Sequence, residues 1–86
     1  MPAEKLFERI LIVSHPKMIE ASALARNISA EIMRSGRFAE TGLLDDEDTR
    51  QRIRSGVFDL MIALGGDGTM LRAGTLCADG KIPLLG

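Results

Sequence analysis

Apolar residues follow two different rhythms along this chain. Arg9-Ile10-Leu11-Ile12-Val13-Ser14 is a continuous Ile/Val-rich run, the pattern of a central parallel strand covered on both faces, and Pro16 closes it. From Met18 the spacing changes. Ala21, Leu24, Ala25, Ile28 and Ile32 mark one face of a helix over residues 18–35, while Glu20, Arg26, Asn27, Glu31 and Arg34 lie mainly away from it. Gly36 is placed to end that helix as a left-handed C′ residue. Residues 57–64 give another buried strand, and Thr69 is a suitable N-cap for a helix over 69–78. Residues 82–85 give a final strand. Strands and helices alternating at this spacing imply a parallel sheet with right-handed crossovers, an α/β fold with helices on both faces.

The stretch between these units is harder to read. Phe38 and Leu43-Leu44 suit a short strand, but Gly42 interrupts it. Asp45-Asp46-Glu47-Asp48 then precedes Thr49-Arg50-Gln51-Arg52-Ile53-Arg54. Acids ahead of bases match the dipole of a short helix, which Gly56 would close. Adjacent helical residues point in different directions, so the acidic run reads as a solvated helix start and no residue is assigned to a metal.

Composition narrows the class. In 86 residues, 45% are hydrophobic and 27% charged, the balance of one small globular domain. Three Phe without Trp or Tyr leave an aliphatic core, with the methionines filling gaps, and predict marginal stability for the isolated chain. Eleven basic and twelve acidic residues nearly cancel, with no basic stripe and few stacking aromatics, so no nucleic-acid partner is expected. No apolar run approaches the ~20 residues a membrane helix needs, and no secretory leader is evident. The lone Cys77 reads as a small apolar helix residue. Together these features suggest a cytoplasmic protein with no membrane partner.

Candidate chemistry concentrates in Leu64-Gly65-Gly66-Asp67-Gly68-Thr69, where three glycines surround a carboxylate just after a strand. Ligands bind at the carboxyl ends of strands in open α/β sheets, and glycine lets the backbone approach them closely. Backbone N–H groups beside a carboxylate suggest phosphoryl transfer. The P-loop pattern fails, because the only Gly-Lys, Gly80-Lys81, is followed by Ile82. The dinucleotide fingerprint fails at Leu71, where it needs Gly or Ala. His15, before Pro16, reads as a loop residue with a satisfied hydrogen bond rather than a cleft residue.

Gly65-Gly66-Asp67-Gly68-Thr69 resembles the signature of the NAD kinase family and of its relatives, the diacylglycerol and sphingosine kinases. The opening strand with its His15-Pro16 ending, the continuation Met70-Leu71-Arg72-Ala73 and the segment Lys81-Ile82-Pro83-Leu84-Leu85-Gly86 resemble the NAD kinase branch. The resemblance spans nearly the whole chain in order, except Arg37 to Gly56. It implies a three-layer, Rossmann-like or flavodoxin-like parallel sheet, the N-terminal domain of a two-domain kinase whose all-β C-terminal domain, with an Asn-Glu pair, lies beyond residue 86. The implied reaction moves a phosphoryl group from ATP (or polyphosphate) to the 2′-hydroxyl of the adenosine ribose of NAD, with a divalent ion, Mg²⁺, as cofactor. Asp67 matches the family's proton acceptor, and Gly68 the position against NAD, where a side chain would clash with ligand and backbone. Gly65 and Gly66 give room for phosphate and metal, Thr69 caps the helix, and Arg72 meets the dinucleotide or faces solvent. A homo-oligomer is implied for the full-length protein. The competing expectations are a lipid kinase with the same turn and a non-enzymatic, flavodoxin-like nucleotide-binding module.

Overall fold

A computed structural model describes residues 8–15, 17 and 19–86, with Asp67 described for its backbone. The elements run β1 (Arg9–Ser14), α1 (Ile19–Arg34), β2 (Phe38–Leu43), α2 (Glu47–Arg54), β3 (Leu60–Leu64), α3 (Asp67–Gly80) and β4 (Leu84–Leu85). The four strands form one parallel sheet in the order β2-β1-β3-β4. The α/β expectation holds, and the sheet is doubly wound. Alternate residues of β1 feed opposite layers. Ile10 and Ile12 pack with Ala25, Ile28 and Ile32 of α1. Leu11 and Val13 join Ile53 of α2 and Ala73, Leu76 and Cys77 of α3 on the other face. A continuous apolar run is needed at β1 because both faces of this strand are covered.

The α1 layer is the thinner of the two. Leu60, Ile62 and Leu64 of β3 are only partly buried on that side, and Leu85 of β4 is 55% exposed. The α2/α3 side holds the larger core, in which Leu11, Val13, Leu44, Ile53 and Met61 are almost wholly excluded from solvent.

Several boundaries differ from the sequence reading, each for a local reason. The ambiguous segment is a full strand through Gly42, which pairs with Val13. A Cβ at Gly42 would stand 2.9 Å from Thr49 Cγ2, so the glycine lets α2 sit close against β2. Residues 57–59 precede β3. There the Asp59 carboxylate accepts hydrogen bonds from the N–H groups of Glu8 (2.6 Å) and Arg9 (3.2 Å), a side-chain latch at the amino edge of the sheet. Residues 82–83 precede β4, since Pro83 has no N–H for a ladder, although its carbonyl accepts from Met61 N–H at 3.0 Å. Helix α1 ends as anticipated, with Gly36 at φ 91°. Pro16 and Met18, assigned to the ends of β1 and α1 from sequence, lie outside the described residues.

Helix α3 starts two residues earlier than expected. Gly66, not Thr69, is its N-cap, with extended φ −90° and ψ −167°, and Asp67 is its first residue. The first helical hydrogen bond runs from Met70 N–H to the Gly66 carbonyl at 3.1 Å. Asp67 therefore belongs to the helix start rather than to the preceding turn. Thr69 sits within the first turn and is buried, with 5% exposure. The helix ends past residue 78, at Gly80, with Lys81 left-handed at φ 57° as its C-cap.

Candidate functional site

The topology sets the place of the site. The chain leaves β1 toward α1 on one face and leaves β3 toward α3 on the other, and β1 and β3 are neighbours. Their carboxyl ends, where Ser14 pairs with Leu64, form the switch point at which a doubly wound sheet opens a crevice. The glycine-rich segment emerges there.

Its glycines do different work. Gly65 has φ 147°, and a Cβ built on it would stand 2.6 Å from Thr69 Oγ1 and 2.9 Å from Thr69 Cβ. The missing side chain at Gly65 lets the buried Thr69 fold beneath the turn. Gly66 and Gly68 are exposed, and a Cβ at either would meet nothing within 4 Å. The expected backbone clash at Gly68 is therefore absent, and open space remains there for a ligand. Because the first helical bond begins at Met70, the N–H groups of Asp67, Gly68 and Thr69 have no acceptor within the helix, and none of the described side chains caps them. Free amides at the positive end of α3, beside two glycines with open surroundings, make a cradle for an anion.

Arg72 lies on the next turn and is engaged: its Nη1 is 3.1 Å from Asp45 Oδ1, on the segment between β2 and α2. The Asp45 carbonyl in turn accepts from Arg50 Nη2 at 3.2 Å. Sequence reasoning found Arg72 but neither Asp45 nor Arg50. Their partnership is non-local, and the acidic run reads locally as nothing more than a helix start. That run is shared out among several partners, since Asp46 accepts from Thr49 Oγ1 at 3.1 Å and Glu47 lies 4.0 Å from Arg54. His15 follows the loop reading: its Nδ1 accepts the Lys17 N–H at 3.1 Å.

Two further groups are perturbed away from the crevice. Burial pushes the Cys77 thiol up, and its Sγ lies 3.5 Å from Met61 Sδ in the core, which suits the packing role read from sequence. A hydrogen bond to Glu40 holds the Arg52 guanidinium above its ordinary value, and Arg52 also covers the Phe58 ring at 5.2 Å. Among the described residues no helix is long and apolar enough to cross a membrane.

Fold and turn together define a doubly wound α/β domain with an anion-receptive strand-to-helix junction at its switch point. The family description "ATP-NAD kinase N-terminal domain" matches residues 12–86. This chain belongs to the NAD kinase family. It is 35% identical over 81 residues to an NAD kinase of Chloroflexus aggregans, and 32% identical over 80 residues to an NAD kinase of Chloroflexus aurantiacus. Each match covers 93% of this chain and 29% of the relative, so the chain spans under a third of the length of these relatives. No solved structure matches it.

Proposed function

We propose that this domain forms part of the catalytic cleft of an NAD⁺ kinase, which transfers a phosphoryl group from ATP or polyphosphate to the 2′-hydroxyl of the adenosine ribose of NAD and yields NADP. The observation that carries the reading is the junction itself in a member of this family: unsatisfied amides at the start of α3, with open space at Gly66 and Gly68. Asp67, first in the helix, takes the proton of the attacking hydroxyl. A carboxylate has a pKa near 4, so it is a weak base in the ground state, and its value lies in accepting the proton as the P–O bond forms. Gly68 lies against NAD, Gly65 and Gly66 shape the backbone toward phosphate, and Thr69 braces the turn from below. Arg72 supplies a guanidinium for dinucleotide phosphate.

Among the described residues no three potential ligands of His, Cys, Asp or Glu type converge. That suits Mg²⁺, which is bound at kinase sites through one or two carboxylates, substrate phosphates and water. Asp67 would be the chain's contribution, and the ion would neutralise charge on the transferred group. We place the protein in the cytoplasm, as a homo-oligomer in its full-length form.

The test uses a chimera in which these 86 residues replace the matched segment of the Chloroflexus aggregans relative. Asp67→Asn keeps size and hydrogen-bonding capacity while removing basicity. NADP formation should fall by at least ~10²-fold, the scale of a lost general base, with a much smaller change in NAD affinity. Near-normal turnover in that variant would remove Asp67 from the mechanism. NAD binding without turnover in the unsubstituted chimera would instead support a nucleotide-binding module.

A further inference from the structure

Outside the glycine-rich junction, α2 and α3 enclose a groove of about 200 Å³ lined by Leu44, Arg50, Arg72, Thr75 and Leu76. Arg72 and Thr75–Leu76 are three and four residues apart, so they share the face of α3 that looks toward α2. Two guanidiniums meet at this groove, and a single residue, Asp45, serves them both. It takes Arg72 through its side chain and Arg50 through its backbone carbonyl. A second observation is independent of that ion pair. Arg50 Nε is buried and has no hydrogen-bond acceptor, the sole buried side-chain nitrogen or oxygen in that condition among the described residues. A buried N–H left without an acceptor keeps its desolvation cost, so an orphan at a groove wall calls for an acceptor that arrives from outside.

We propose that the α2/α3 groove is a binding site for a phosphate-class oxyanion, held between Arg50 and Arg72, with the Asp45 carboxylate occupying part of that place until the anion enters. The charge balance favours it, since the groove lining carries two guanidiniums and no acidic side chain, and the one carboxylate paired with them, that of Asp45, reaches only Arg72. The chemistry specifies the class. A guanidinium presents a fork of donors that matches phosphate oxygens, and a phosphate offers more acceptors than the one carboxylate already present. Leu44 and Leu76 provide apolar walls, which strengthen a charge-assisted contact relative to open water. When the anion enters, Arg50 Nε gains its missing acceptor and Arg72 exchanges Asp45 for it. The source is either free phosphate or the end of a phosphate chain on a larger molecule. The site shares Arg72 with the dinucleotide contact proposed above, but binding is read with phosphate alone and at Arg50, so its failure is distinguishable from a failure of NAD as the phosphoryl acceptor.

The test follows the Arg50 Nε–Hε resonance of the isotopically labelled chain by NMR, titrating in turn with orthophosphate, tripolyphosphate and ATP. Sodium chloride at matched ionic strength is the control. A saturable shift with orthophosphate assigns the site to free phosphate, and a shift with only the longer probes assigns it to a phosphate chain. Arg50→Gln, followed through the Arg72 Nε–Hε resonance instead, should weaken binding at least about tenfold, the scale of a lost hydrogen bond to a charged group. Asp45→Asn removes the competing carboxylate and should tighten binding about two- to fivefold, the range of an exposed ion pair. The Asp45 variant keeps the test decisive even if Arg50→Gln fails to fold. An unmoved resonance, an equal response to chloride, or unchanged or weaker binding in Asp45→Asn would overturn the proposal.

Discussion

At the scale of single residues, the glycine-rich junction separates into a structural and a functional half. Gly65 is fixed by its φ of 147° and by Thr69 lying beneath it, whereas Gly68 occupies a helical position with open space where a Cβ would be. Gly65→Ala should therefore lower stability by about 1–3 kcal/mol, combining unfavourable dihedrals with the clash against Thr69. Gly68→Ala should leave the thermal midpoint unchanged or raise it, because alanine is favoured in a helix by up to ~1 kcal/mol, while weakening NAD binding in the chimera. Thermal unfolding of both variants checks the first half, and NAD titration of Gly68→Ala checks the second. Equal destabilisation by both substitutions would refute the division. Sequence reading located these glycines and expected them to make room for a ligand. It could not tell which one made room for Thr69, because that contact depends on where α3 begins.

At the scale of elements, the strongly periodic units were legible and the boundaries were set by groups with no local signature. β1 and α1 stood out because one is apolar on both faces and the other on a single stripe. β2 was obscured by Gly42, whose lack of a side chain answers to Thr49 on a helix that follows it in sequence. Strand β3 was read too long because Phe58 is buried like a strand residue, with 4% exposure, although Asp59 beside it forms the side-chain latch. The short helix α2 owes its place to packing rather than to its largely polar sequence. Ile53 is its one large buried apolar side chain, fully excluded from solvent and within the α2/α3-side core. Ile53→Ala should cost about 2–5 kcal/mol, the range for removing a large aliphatic group from a packed core. Chemical denaturation measures this, and a loss below ~1 kcal/mol would mean that α2 contributes little to the cooperative unit.

At the scale of the whole molecule, the proposed function gives the domain one wall of a cleft and one candidate proton acceptor, on a chain spanning 29% of the length of its matched relatives. Phosphoryl transfer depends on holding donor and acceptor in line and on stabilising charge, with little covalent work for side chains to do. A chain that presents the uncapped start of α3 along one side of a crevice can attract phosphate without fixing the ribose hydroxyl against it. Residues 1–86 alone are thus expected to form no measurable NADP and to bind NAD weakly, even when folded. The chimera with the remainder of the Chloroflexus aggregans relative should regain turnover, because it restores the opposing wall. Comparing the two at equal concentration, with circular dichroism to confirm that the shorter chain is folded, tests the point. Turnover by the short chain close to that of the chimera would show that this domain positions both substrates unaided.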